Sequence, residues 1–126
     1  MSSTDEPRDD RPGVWVGHVA VTAPDVAAAS RFWQTIGMRP VFERDDFAVL
    51  ELRGGTHLVI VAGDAGSEEI GFDVMVDDLQ ATRNLFNDAG LNPTPVTEGT
   101  IHSSFTVLDP AGRALTINSS HVVGPV

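Results

Sequence analysis

Histidine and aspartate side chains in β-rich segments are the candidates for chemistry in this chain. His18, His57 and Asp73 each stand beside apolar residues, in segments where polar and apolar positions alternate. In a strand, such alternation places the polar side chains on the sheet face opposite to the apolar ones. Imidazole and carboxylate groups gathered on one face could bind a divalent metal ion, and His18 alone could act as a general base.

Other kinds of chemical site are excluded by composition and motifs. The 126 residues include no cysteine, which rules out a thiolate nucleophile, a thiolate metal site and a disulfide framework. Neither a P-loop nor the glycine pattern of a dinucleotide site is present. His102 lies near a predicted strand start and His121 in the C-terminal tail, so we predict that both are exposed to solvent.

The elements that position these residues form an internal repeat. Residues 14–40 match, in kind, the residues 53 positions later, so that Val19 falls on Phe72. Further along, the offset grows to 57, and Gly55–Ile60 falls on Gly112–Ile117. An insertion in a loop or turn explains the change of offset. Two copies of about 50 residues indicate paired supersecondary units rather than a solenoid.

Each copy is predicted to have the order β-α-β-β-β. The first copy has predicted strands at Trp15–Thr22, Pro40–Glu43, Phe47–Leu52 and His57–Val61. Its helix is predicted to carry Pro24 in the first turn and to stop at Gly37. The second copy has a predicted helix at Leu79–Ala89 and predicted strands at Ile70–Val76, Thr94–Thr97, Ser104–Leu108 and Ala114–Asn118.

Length and composition indicate one domain preceded by a tail. Residues 1–13 are rich in Ser, Asp, Glu, Pro and Arg, and we predict a disordered acidic tail there. Residues 14–126 form a single predicted domain, with module one at 14–62 and module two at 69–119. The aromatic side chains of Trp33 and Phe86 fall on apolar helix stripes and are predicted to lie in the core.

The charge restricts the partners of this domain. The formal net charge is −10, which argues against binding to nucleic acid or to anionic membranes and permits cationic small ligands. No apolar run reaches the roughly 20 residues that span a bilayer, and the N-terminus does not have the pattern of a secretory signal. We therefore predict a soluble, cytoplasmic protein.

Several motifs make the chain similar to a known superfamily. They are Gly17–Val21, Ser30–Trp33 followed by Gly37-Met38, and Leu108–Arg113. Between Val14 and Ser119 the chain resembles the vicinal oxygen chelate superfamily, which includes glyoxalase I, extradiol dioxygenases, fosfomycin-resistance enzymes and bleomycin-resistance proteins. The resemblance implies an α+β fold, in which two βαβββ modules form a cup-shaped mixed sheet, and it implies a homodimer.

Within the superfamily, the chain looks most like the bleomycin-binding proteins. The similarity to their first half lies at Asp25–Ala27, Phe32-Trp33 and Asp45–Ala48. The similarity to their last strands lies at Phe105 and the Asp109–Gly112 turn. The chain differs from them at Thr100–Phe105, where those proteins carry a run of the type Trp-Gly-x-Arg-Glu-Phe.

The resemblance also implies four places for metal ligands, on the first and last strand of each module. His18 fits the first place, but the other three hold Gly71, Val59 and Thr116. Glycine and valine have no donor atom, and neutral threonine is a weak ligand. The sequence therefore predicts no standard metal site, with His18 as the only matching ligand, although a site formed by His18, His57 and Asp73 remains open.

The residues predicted to line the cup mix apolar and hydrogen-bonding groups, as in a small-molecule pocket. They are His18, Phe47, His57, Val59, Asp73, Met75, Thr116 and Asn118. Two functions follow from this set, and no catalytic residue is assigned. The first is a protein without a metal cofactor that binds or sequesters a small organic molecule, for which the charge favours a cation. The alternative is a metal-dependent lyase, isomerase or dioxygenase with an atypical ligand set.

Overall fold

The computed structural model describes residues 9–122, so residues 1–8 of the predicted disordered tail lie outside the described residues. The elements, in chain order, are β1 His18–Ala23, α1 Val26–Ile36, β2 Arg39–Glu43, β3 Phe47–Glu51, β4 His57–Ala62, β5 Val74–Val76, α2 Leu79–Asp88, β6 Thr97–Glu98, β7 Ser103–Leu108 and β8 Ala114–Ser119. A short 3₁₀ turn, Arg53–Gly55, joins β3 to β4. The predicted α+β fold with two βαβββ modules is confirmed.

The described strands form two four-stranded mixed sheets with the same topology. The first sheet has the order β1-β4-β3-β2 and the second has the order β5-β8-β7-β6. In each, the first pair is parallel and the other two pairs are antiparallel. Each module of the repeat therefore builds one sheet, and each sheet has an open face turned away from the helix of its module.

The two helices begin in the same way at equivalent places of the repeat. The Asp25 carboxylate accepts a hydrogen bond from the Ala28 amide, and the Asp78 carboxylate accepts one from the Ala81 amide, both at 3.0 Å. An aspartate N-cap satisfies an amide that has no partner inside the helix. Pro24 thus precedes the cap of α1, and its predicted place in the first turn was wrong.

The predicted assignment of sheet faces is confirmed by burial. The apolar residues predicted to face the helices are buried or packed against the core: Val19, Val21, Leu58, Ile60, Phe72, Val74, Leu115 and Ile117. Trp33 and Phe86 are almost fully buried, as predicted for core residues. Trp33 also stacks on Phe72 with 5.6 Å between ring centroids, so the core is continuous between the modules.

Three strands differ from the sequence prediction by more than one residue at an end. Residues 15–17 are not in β1, and Trp15 is 71% exposed, because the paired ladder with β4 begins at His18. The strand predicted at Ile70–Val76 is reduced to β5, and only a single bridge at Glu69 precedes it. The strand predicted at Thr94–Thr97 is shifted to β6, since Pro95 has no amide hydrogen for a ladder.

A buried ion pair joins the two modules. Arg113 and Asp109 are bound through Nη2 and Oδ2 at 2.8 Å, and their side chains are only 6% and 2% exposed. The same guanidinium donates hydrogen bonds to the carbonyl oxygens of Thr22, in module one, and Ala65, between the modules, both at 2.7 Å.

None of the helices in the described range is both long and apolar enough to cross a membrane.

Candidate functional site

Four polar side chains form a continuous row across the open face of the module-one sheet. His18 of β1 pairs in register with His57 of β4, which pairs with Glu51 of β3, which pairs with Arg39 of β2. Residues paired in this way share a sheet face. We call these four residues, one from each strand, the polar row.

The contacts along the polar row define its chemistry. His57 Nε2 lies 3.0 Å from Glu51 Oε1, and the Arg39 guanidinium forms an ion pair with Oε2 of the same carboxylate. The rings of His18 and His57 meet edge to face with centroids 5.8 Å apart. Because an ionised carboxylate only accepts hydrogen bonds, Glu51 places the proton of His57 on Nε2. Such a carboxylate partner fixes the tautomer and orientation of an imidazole.

An apolar platform lies beside the polar row on the same open face. It consists of Phe42, Phe47, Val49, Val59 and Val61, which are related by pairing across β2, β3 and β4. The Phe42 and Phe47 rings stack with centroids 5.3 Å apart, and both Phe42 and Val61 are more than 40% exposed. The Arg44 guanidinium lies 5.1 Å from the Phe42 ring centroid, a cation–π distance. An exposed aromatic and aliphatic surface of this kind suits the flat apolar part of an organic molecule.

The open face of module two is more polar. Asn118 donates a hydrogen bond to Asp73 Oδ2 at 2.6 Å and pairs in register with Met75. Thr116 lies on the same face of β8, two residues before Asn118, and is exposed. Asp73 forms no ion pair with any residue that the structure describes. Its carboxylate therefore accepts a hydrogen bond from a neutral amide and has no charged partner among the described residues.

The predicted site residues thus fall into two groups. His18, Phe47, His57 and Val59 come together on the open face of module one, whereas Asp73, Met75, Thr116 and Asn118 lie on that of module two. The site of His18, His57 and Asp73, which the sequence left open, is not formed, because the two histidines lie on the module-one sheet and Asp73 lies beside Asn118 of module two. Among residues 9–122, no group of three or more His, Asp or Glu side chains is placed to hold a metal ion.

His102 is less exposed than predicted, whereas His121 is exposed as predicted. His102 is half-buried because its Nδ1 is hydrogen-bonded to the Ser119 carbonyl oxygen at 2.7 Å. The rings of His102 and His121 are 4.8 Å apart between centroids.

Glu51 and Arg39 are the members of the polar row that the sequence prediction missed. Glu51 and His57 flank a five-residue loop, Leu52–Thr56, that contains two glycines. A glycine-containing loop of this length joins antiparallel strands, so its flanking residues oppose one another. That signal could have placed Glu51 beside His57. Arg39 has no comparable signal, because β2 pairs with β3 through a bulge that shifts the register.

A cleft of ≈ 560 Å³ lies next to the module-two face and is lined by residues of both modules. Asp73 and Met75 line it, together with the ion pair of Arg53 Nη2 and Asp77 Oδ2 at 2.7 Å. The hydrogen bond from Arg53, helped by its positive charge, lowers the pKa of Asp77. Since Arg53 is already paired with Asp77, the carboxylates of Asp73 and Asp78 give this part of the cleft a negative charge.

Comparison with known families agrees with this architecture. The profile of the glyoxalase-like domain matches residues 18–118, which span both modules. The chain belongs to the glyoxalase-like family. Among curated proteins, none matches the chain.

Solved structures share the glyoxalase-like fold over nearly the whole described chain. The lactoylglutathione lyase of Agrobacterium tumefaciens is 18% identical, with a TM-score of 0.70 over 87% of this chain and 96% of that one. The bleomycin-binding protein of Streptomyces verticillus, solved with copper(II)-bleomycin, is 26% identical, with a TM-score of 0.69 over 88% and 100%. A glyoxylase/bleomycin resistance protein/dioxygenase domain from Frankia sp. EAN1pec is 21% identical, with a TM-score of 0.67 over 86% and 98%.

Proposed function

We propose that this glyoxalase-like protein binds or sequesters a small amphiphilic organic cation and that it does so without a metal ion. The observation that carries the proposal is the open face of module one, where the apolar platform borders the polar row. The stacked rings of Phe42 and Phe47 offer apolar contact, and the neighbouring row offers hydrogen-bonding groups. Small-molecule sites combine a mainly apolar lining with a few polar groups in this way.

The charge distribution supports a cationic ligand. The chain has a formal net charge of −10, and a strongly negative field raises the local concentration of cations. The Asp73 carboxylate, held by the neutral Asn118 amide, is available to pair with a cation. A ligand that contacted both faces would place its apolar part on the platform and its positive charge at Asp73.

The neighbouring structures add support of a general kind. The Streptomyces verticillus protein was solved in complex with copper(II)-bleomycin, so a protein with this fold binds a large organic ligand. This chain differs from the bleomycin-binding proteins at Thr100–Phe105. We therefore include bleomycin as one member of a ligand panel rather than as the expected ligand.

Isothermal titration calorimetry with matched amphiphilic cations and anions tests the proposal. Cations are expected to bind more tightly than anions of the same size, and the preference is expected to weaken with added salt. Asp73→Asn should weaken cation binding by about 1 kcal/mol or less, the range of an exposed ion pair, because Asp73 is exposed. Phe47→Ala should weaken the binding of cations and anions alike, since it removes apolar contact.

Asp88→Asn is the matched control for Asp73→Asn. It changes the net charge by the same amount, but Asp88 lies at the end of α2 and does not line the cleft. An equal loss of cation affinity in both variants would mean that only the overall charge matters. Tighter binding of anions, such as fosfomycin or glutathione conjugates, would contradict the cationic ligand.

The alternative function is a metal-dependent lyase, isomerase or dioxygenase with an atypical ligand set. His18, His57 and Glu51 are residues of the types that bind divalent metals, and they lie on three adjacent strands. Metal analysis of protein purified without chelator decides between the two functions. Near-stoichiometric nickel, iron, manganese, cobalt or zinc, lost in His18→Ala, would establish the alternative and overturn the metal-free proposal.

A further inference from the structure

The hydrogen bond between Glu51 and His57 points to a catalytic activity beyond binding. We infer that Glu51 and His57 form a general-base dyad that removes a proton from a carbon acid lying on the apolar platform. The dyad stands in the middle of the polar row, with the His57 side chain 32% exposed and that of Glu51 22% exposed. The inference shares the platform with the proposed function but does not depend on a cationic ligand.

The contacts of Glu51 assign the roles within the dyad. Both of its carboxylate oxygens are engaged, Oε1 by His57 and Oε2 by Arg39. The carboxylate is therefore held as the orienting group, and it accepts a hydrogen bond from Nε2–H of His57. In the neutral imidazole the lone pair is then on Nδ1, for which no hydrogen bond from a described residue is found. Nδ1 is the atom that accepts a proton from the substrate.

The same arrangement argues against a metal as the main occupant of this row. A metal ion bound by Glu51 would have to compete with the Arg39 guanidinium and the His57 imidazole, which already engage its two oxygens. When His57 gains a proton, the resulting imidazolium lies next to a carboxylate, which stabilises it. Glu51 thus has the function of the carboxylate that orients the histidine base in a catalytic triad.

The position of the platform defines the class of substrate. Val59 lies two residues beyond His57 on the same face of β4, and Val49 pairs with Val59. Residues two apart in a strand are separated by about 7 Å, so a flat bicyclic molecule on these valines can reach His57 with one edge. The substrate class is a planar aromatic molecule whose edge carries an acidic C–H bond.

The ring opening of 5-nitro-1,2-benzisoxazole is a suitable probe because it needs only a base. His57 Nδ1 takes the proton from C3, the C–H electron pair completes the C≡N bond, and the N–O bond breaks. The oxygen leaves as 2-cyano-4-nitrophenolate, whose absorbance gives the rate, and no oxidant or metal is consumed. Saturable catalysis is expected, with a rate well above that of buffer alone.

Variants separate the dyad from the platform. His57→Ala should lower kcat by about 100-fold, which is within the usual contribution of a general base. Glu51→Gln should lower kcat by about 10-fold and change the pH profile with little effect on KM, since it disturbs only the orienting group. Phe47→Ala should raise KM instead. Glu43→Gln is the matched control, because Glu43 lies on the helix side of the same sheet and binds Ser30.

Three results would overturn the inference: no acceleration above buffer, unchanged kcat in His57→Ala, or loss of the rate on adding a chelator. Circular dichroism of each variant shows whether it is folded. If His57→Ala does not fold, the kcat of Glu51→Gln still tests the dyad. Cation binding measured on the same samples keeps the two proposals distinct. Binding without turnover would contradict only the general-base dyad, and turnover without a preference for cations would contradict only the cationic ligand.

Discussion

Asp77 is the residue whose ionisation is most directly tied to a contact between the modules. The hydrogen bond and charge of Arg53 lower its pKa, so the ion pair adds stability at pH values above the pKa of an unfolded aspartate, about 3.9. That contribution disappears as the pH falls through the lower folded-state pKa. It is expected to be small and sensitive to salt, since both side chains are more than 60% exposed.

We expect Arg53→Gln to raise the pKa of Asp77 toward its ordinary value. Carboxyl chemical shifts followed by NMR during an acid titration measure this change directly. Arg31→Gln is the control, because it removes the same charge from the exposed surface of α1. An Asp77 titration that is identical in wild-type and Arg53→Gln protein would show that the pair does not form in solution.

Arg113 is expected to be the most sensitive charged residue for stability. Arg113→Met leaves the Asp109 carboxylate buried without its cation, which costs about 3–5 kcal/mol. The double variant Arg113→Met/Asp109→Asn should recover part of this loss, since no unpaired charge is then buried. Urea unfolding monitored by circular dichroism gives both values. A single variant as stable as the wild type would contradict the role of this pair in joining the modules.

The site shows how far residue-level prediction could go. Alternation placed His18, His57 and Val59 on the open face correctly, because the period of a strand does not depend on the rest of the fold. It could not show that Asp73 lies beside the module-two sheet, away from the two histidines, since that depends on how the modules pack. Arg39 was missed for a related reason: the bulge in β2 changes the register in a way that local sequence does not reveal.

At the level of elements, the two aspartate N-caps make a prediction for helix stability. Asp25→Ala and Asp78→Ala should each lower the free energy of unfolding by about 1 kcal/mol, because each removes the bond to an unpaired helix amide. Asp88→Ala, in the last turn of α2, should not be destabilising, since a carboxylate there opposes the helix dipole. Denaturant unfolding of the three variants measures the differences. Equal losses of unfolding free energy in all three variants would mean that the N-cap hydrogen bonds add no stability of their own.

The elements themselves were predictable in kind but not in length. Both helices were found from their apolar stripes, and both are followed by a glycine at positive φ, Gly37 and Gly90. The strand at Ile70–Val76 was overestimated because a bend at Gly71 and Phe72 interrupts its pairing with β8. Pairing partners decide where a strand ends, and they are set by the whole sheet rather than by local sequence.

At the level of the whole molecule, we expect a homodimer. Strand β2 is an edge strand that is exposed along its full length, and it carries apolar Val41 and Phe42 at more than 40% exposure. The unpaired backbone groups of an exposed edge strand can pair with another chain. Light scattering at tens of micromolar protein should give about twice the chain mass of 13.4 kDa.

Val41→Lys should shift this dimer toward the monomer, because a charged side chain on an edge strand opposes pairing with another chain. Leu85→Lys, an equally drastic change on the exposed surface of α2, is the control and should leave the mass unchanged. A wild-type protein that is monomeric at these concentrations would contradict the predicted dimer.

The polar row has a consequence for folding that is independent of any ligand. Each of its four residues comes from a different strand, and a slip of one residue in any strand would turn that residue toward the helix side. The slip would bury an imidazole, a carboxylate or a guanidinium among Leu50, Leu58 and Ile60, without the partners it has now. The row therefore penalises misaligned sheets. A variant with four alanines in its place would lose this penalty and should populate alternative strand alignments during refolding.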